Sequence, residues 1–185
     1  MPTQAGATGP AAKPAATQDT ARFTRRTETW SLTSNPALRR LQCEVVQLPD
    51  GRVFVGGGGQ PAADGETDNF NAQLLSPPYL FKSDGTPADR PQIQDAPATV
   101  AYGQTFDVKT SQPGAVARVT LVKLGSMTHA FNQSQRFIRL AFAAGPGAVT
   151  ATAPANANLA PPGHYLLFLV GTNGAPSVAR IVHIG

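Results

Sequence analysis

The sequence predicts an all-β protein, and three observations lead there. Seventeen prolines and eighteen glycines in 185 residues, with only 14% charged side chains, favour short elements joined by many turns. Hydrophobic residues make up 41% of the chain, enough to bury a core. From residue 92 onward, short apolar runs recur at even spacing with a turn signal between each pair.

Taken in order, residues 1–22 are small and polar with three prolines, and they bury too little apolar area to offset their ordering entropy. They read as a disordered tail. In residues 23–60, Arg26-Thr-Glu-Thr-Trp30-Ser-Leu suits one strand. Glu44-Val-Val-Gln-Leu and Arg52-Val-Phe-Val then flank Pro49-Asp50-Gly51, an Asp-Gly turn that predicts a hairpin. Residues 61–91 form a connector. Its run Leu74-Leu-Ser-Pro77-Pro78-Tyr79-Leu-Phe81 carries two prolines, which suits an edge strand or a surface-packed segment.

Residues 92–185 hold strand candidates at 98–101, 104–110, 116–124, 135–143, 147–153, 164–170 and 177–184. Tyr102-Gly103, Pro113-Gly114, Gly125, Gly145-Pro-Gly147, Pro161-Pro-Gly163 and Asn173-Gly174 separate them. About seven short strands so punctuated suggest an immunoglobulin-like β-sandwich. Ile138, Leu140 and Phe142 share one face of a strand, whereas Tyr165-Leu-Leu-Phe-Leu-Val170 is apolar on both faces and reads as central.

Charge narrows the function classes. Residues 1–40 carry Lys13, Arg22, Arg25, Arg26, Arg39 and Arg40 against Asp19 and Glu28, which accounts for the whole formal charge of +4. The remainder is neutral, so a nucleic-acid groove is unsupported. One cysteine, Cys43, excludes an internal disulfide framework and a cysteine-based zinc finger, and reads as a small core thiol. No stretch has the roughly 20 apolar residues of a membrane span or the apolar core of a secretory signal, so no export or membrane address is expected.

Several motifs invite chemistry. Gly56 to Gly59 follow a strand as a phosphate loop would, but no Gly-Lys-Ser/Thr comes after them and Pro61 blocks a helix, so they read as an exit turn. Asp64-Gly-Glu66-Thr-Asp68-Asn69-Phe-Asn71 gathers oxygen ligands without the order of a calcium loop, and reads as a solvated loop. Gly125-Ser-Met-Thr-His129 presents one imidazole at a hairpin tip between two strand-like runs. One histidine makes no metal centre, since a catalytic zinc takes about three protein ligands and copper a comparable set. His164, within a buried strand, and His183, in the last strand, read as structural. Arg136 and Arg139 read as braces of the hairpin or caps of the sheet.

Six blocks in order now converge: Leu48-Pro-Asp-Gly-Arg-Val-Phe-Val-Gly-Gly-Gly-Gly59, Asn69 through Phe81, Arg90-Pro91, Thr128 through Arg136, Pro162-Gly-His-Tyr-Leu-Leu-Phe168 and Pro176-Ser-Val178. Together they resemble the C-terminal third of the galactose oxidase and glyoxal oxidase family of copper-radical oxidases. The resemblance implies that 92–185 is the family's early-set, immunoglobulin-like domain and that 23–60 is a partial kelch-like blade. It also implies that His129 is an equatorial copper ligand. The family's tyrosine-histidine ligand pair falls on Leu41 and Gln42, which are not plausible replacements. A radical tyrosine would come from a kelch propeller, whose blades take about 40–45 residues each with at least about four needed.

The resulting expectation is a noncatalytic early-set module that needs no cofactor by itself, with copper implied by the family alone. The enzyme alternative is the C-terminal part of a split or truncated copper-radical oxidase, completed by a propeller, that oxidises alcohols or aldehydes and yields H2O2. An interaction alternative is a stand-alone carbohydrate- or protein-binding sandwich. Expected partners are a kelch propeller domain or a second copy, with neither nucleic acid nor membrane. Family relatives are largely secreted. Met127, Phe131 and the connector Leu74–Phe81 are expected to be partly uncovered.

Overall fold

The computed structural model describes residues 20–24, 29–34, 44–57, 71–128 and 131–185. Two compact units are present, Met1–Arg39 and Arg40–Gly185. In the first, β1 (Thr20–Thr24) and β2 (Thr29–Ser34) form an antiparallel hairpin with Phe23 opposite Trp30. Strand β1 begins inside the stretch that composition assigns to the tail, because Phe23 and the threonines around it favour extended pairing.

The second unit opens with a three-stranded antiparallel sheet of β3 (Glu44–Gln47), β4 (Val53–Gly56) and β5 (Ala72–Leu75), in that order. The Asp-Gly hairpin therefore stands, and the connector's apolar run supplies the third, edge strand before Pro77 ends it. Between β3 and β4, the Gly51 N–H donates to the Leu48 carbonyl at 2.9 Å and Gly51 has φ 87. A type I turn followed by a left-handed residue is the three-residue hairpin that glycine permits without a Cβ penalty. A 3-10 turn, Pro78–Leu80, follows β5.

The sandwich comprises β6 (Thr99–Val100), β7 (Thr105–Lys109), β8 (Val116–Lys123), β9 (Ser126–Thr128), β10 (Phe131–Gln133), β11 (Phe137–Leu140), β12 (Phe142–Gly145), β13 (Ala148–Thr152), β14 (Gly163–Gly171) and β15 (Arg180–Ile184). One sheet runs β11-β8-β14-β15-β6 and the facing one β12-β13-β7, while β9 and β10 pair as a separate hairpin. Strand β14 is central, and Tyr165 through Leu169 are buried from both sides. Val108, Val119, Leu121, Val149, Leu167 and Ile184 meet between the sheets. Leu166 and Phe168 form a smaller cluster on the outer face with Ala179. Alternation in β7 and β13 sets Phe106 against Ala151 and Val108 against Val149 in register.

One expected strand, 135–143, is two. Strand β11 pairs with β8, whereas β12 pairs with β13 in the other sheet, and the chain turns the corner at Ala141. Leu140 lies in the core and Ile138 and Phe142 pack against it, so the expected shared face is real but is assembled from both sheets. Strands that switch sheets make such corners. Among the described residues no helix is long and apolar enough to cross a membrane.

Candidate functional site

Strand β8 feeds directly into the histidine-bearing hairpin. The Lys123 N–H donates to the Arg136 carbonyl at 2.9 Å and the Leu124 N–H to the His164 carbonyl at 3.0 Å, after which the chain leaves the sheet as β9 and β10. In that hairpin Thr128 pairs with Phe131 and Ser126 with Gln133. Gly125 marks the exit because the Asn132 amide packs on its backbone, and a Cβ there would overlap that side chain. Ser134 closes the hairpin at φ 62, a left-handed conformation uncommon for a residue with a side chain. Phe131 is 71% exposed and Met127 half-buried. Strand β10 packs beside β3, the strand into which residues 41 and 42 lead. His129, Leu41, Gln42 and Cys43 lie outside the described residues, as do Gly58, Gly59 and residues 64–70 of the acidic loop.

A second locus joins the small sheet to the sandwich, and it is built from four of the six blocks. The half-buried Arg90 guanidinium donates through Nε to the Pro176 carbonyl (2.6 Å) and through Nη2 to the Asp50 and Ser177 carbonyls (2.8 Å each). The Tyr79 hydroxyl donates to the Gly51 carbonyl at 2.6 Å, and the Ala179 N–H to the Pro49 carbonyl at 2.8 Å. Ser177 is fully buried, and its hydroxyl accepts the Leu169 N–H at 3.1 Å. Asn173 ties the approach to Arg90 by donating to the Asp89 carbonyl at 2.8 Å. A planar guanidinium is the side chain whose fixed donors can serve three carbonyls at once.

Electrostatics at this joint follow from the same contacts. Burial would raise the Asp50 carboxyl, but hydrogen bonds from the Arg52 N–H (2.9 Å) and Nε (2.7 Å), with the Arg52 and Arg90 charges, hold it below the usual carboxylate range. Burial pushes the Tyr79 phenol up, against the Arg90 charge and with the Asp50 charge. Because the folded Asp50 titrates below its unfolded value near about 3.9, the unfolded chain takes up that proton first as pH falls. Its contribution is complete above about pH 4 and is lost as pH drops through the folded value. Asp50→Asn is therefore expected to flatten the stability-versus-pH curve below about pH 4, read by urea unfolding across pH. An unchanged slope would refute the coupling.

Arg136 and Arg139 are exposed. His164 sits on a buried strand, as expected, yet its own side chain points out to solvent, because Tyr165 next to it takes the core-facing position. It faces His183 on β15. Arg90 and Tyr79 stand in two of the six blocks, but their roles are not legible in the sequence because their contacts span 40 and 28 positions.

The galactose oxidase-like early set domain model matches residues 90–184, the segment that forms the sandwich. The chain belongs to the galactose oxidase-like early set family. A galactose oxidase of Gibberella zeae is 35% identical over 139 residues, covering 74% of this chain and 20% of the relative. An aldehyde oxidase GLOX of Vitis pseudoreticulata is 34% identical over 168 residues, covering 83% of this chain and 31% of the relative. A solved fungal alcohol oxidase of the AA5 family, in complex with copper, superposes with a TM-score of 0.81 at 29% identity, covering 90% of this chain and 36% of that one. The chain thus spans about a fifth to a third of the length of these curated relatives.

Copper is bound by that structural neighbour, which sets the donor question for this early set chain. Among the described residues no three His, Cys, Asp or Glu side chains gather as a metal centre. Around the hairpin the described side chains offer a thioether from Met127 and a neutral amide from Asn132, and β3 beside β10 carries the Glu44 carboxylate. The described residues alone supply no complete copper centre.

Proposed function

We propose that this chain is the early-set portion of a copper-radical oxidase assembly, acting as a scaffold that presents His129 as one copper ligand to a propeller. By itself it turns over no alcohol or aldehyde. The observation that carries the reading is the hairpin: β8 leads from the packed sheet into β9, and Phe131 at the start of β10 is 71% exposed, which supports a surface received elsewhere. The three-carbonyl Arg90 clamp holds the small blade-like sheet on the sandwich, which supports a scaffold role.

The chemistry gives the same division. Taking two electrons from an alcohol and passing them to O2 as H2O2 needs an acceptor beside copper, which in the family is a cross-linked tyrosine of the propeller. The chain's own contribution is then position: a ligand delivered on a strand-anchored hairpin holds its place better than one on a free loop. Copper-supplemented chain is expected to release no H2O2 from galactose or methylglyoxal. Turnover by this chain, abolished in His129→Ala, would overturn the scaffold reading. Propeller-containing protein that keeps its activity with His129→Ala would overturn the ligand role.

A further inference from the structure

We infer that His164 and His183 form a surface binding site for one borderline divalent transition-metal ion, Cu2+, Ni2+ or Zn2+, distinct from the His129 hairpin and independent of the oxidase reading. The two residues are direct partners in the β14–β15 register. The His164 carbonyl accepts from Leu124 on one side and the His183 N–H donates to Ala98 on the other, so the two do not bond each other. They are therefore a non-hydrogen-bonded antiparallel pair, the arrangement that brings opposed Cα atoms to about 4.5 Å and side chains closest.

Their neighbours fix the direction of both rings. Tyr165 and Val182 enter the core on one face, and His164 and His183 stand on the other. His164 is exposed and His183 half-buried, so one ring is held by packing and the other is free to adjust. The ring centroids lie 5.1 Å apart at an interplanar angle of 71°. Two imidazoles bound to one ion at about 2.0–2.1 Å per nitrogen, near the tetrahedral angle, place their centroids about 5 Å apart. Because χ2 of histidine is a broad torsion, the rings can turn a nitrogen toward a shared ion without moving Cβ. The backbone stays in register.

The surroundings suit a chelating site with open positions. Lys123 on the neighbouring strand turns its ammonium to the Pro162 and Pro161 carbonyls at 3.3 and 3.5 Å. Thr99 stands opposite His183 on β6. No third His, Cys, Asp or Glu joins the pair among the described residues, so two imidazoles bind and water completes the shell. Imidazole nitrogen selects copper, nickel and zinc over magnesium or calcium.

The chain has three histidines, so each imidazole Cε1–H signal is separable in a two-dimensional spectrum of the full-length protein. Titration with ZnCl2 is expected to move the His164 and His183 signals together, saturating at one equivalent. His164→Asn or His183→Asn is expected to weaken zinc and copper binding by about a hundredfold through loss of chelation, while His129→Ala leaves this site's affinity unchanged. Binding by the double variant equal to the parent's, or a shift confined to His129, would overturn the assignment. The parent spectrum needs no variant to fold, so absence of any paired shift up to millimolar zinc would overturn it as well.

Discussion

Arg90→Ala is expected to lower the unfolding free energy of the full chain by about 3 kcal/mol, a shift of about 10 °C in Tm for a unit of this size. Its guanidinium serves the carbonyls of Asp50, Pro176 and Ser177, two of which belong to the turn before β15 and one to the β3–β4 hairpin. Truncation strands three acceptors at a partly buried joint, and each stranded group costs about 1–3 kcal/mol before solvent access is counted. Half-burial and the remaining Tyr79 and Ala179 bonds hold the total near the lower end. Arg90→Lys keeps the charge but has no fork, so it recovers less than half of the loss. Denaturant unfolding of both variants decides the matter. If Arg90→Ala unfolds with the parent midpoint, the small sheet and the sandwich are not clamped by this residue.

Leu167→Ala should cost about 3–4 kcal/mol, read in the same unfolding experiment. Leu167 is fully buried on the central strand, with strands on both sides and the facing sheet above. Neighbouring strands pinned by their ladders cannot collapse into the space, so the cavity term adds to the lost transfer energy. Ile181→Ala on the outer face is the contrast. Its side chain is 52% exposed, and its loss is expected to stay within about 1 kcal/mol. Equal effects at the two positions would mean that the sheet's outer face is covered in solution. That result would point to self-association through this face.

The exposed apolar side chains bear on that alternative. Phe131 is 71% exposed, Leu74 49% and Phe81 41%. These lie on the hairpin and connector that the proposed scaffold role leaves for a propeller to cover, and Met127 on β9 is half-buried. Light scattering of the chain alone is expected to show self-association, which an added propeller chain suppresses.

The sequence by itself determined the all-β class, the central place of β14 and the hairpin at Pro49-Asp50-Gly51. Each rests on local chemistry: a two-residue period, a run apolar on both faces, and a glycine that tolerates φ 87. The six ordered blocks identified the family for the same reason, since order along the chain is visible without folding it. Only the tertiary structure decided which blocks meet. Arg90 reaches Ser177 across 87 positions and Asp50 across 40, contacts that no periodicity encodes. It also split 135–143 between two sheets, because a corner at a small residue leaves the alternation of Ile138, Leu140 and Phe142 unbroken. The His164–His183 pair arose the same way. Register between β14 and β15 is set by where the core residues Tyr165 and Val182 pack, so long-range packing, rather than either histidine's local sequence, placed the two rings side by side.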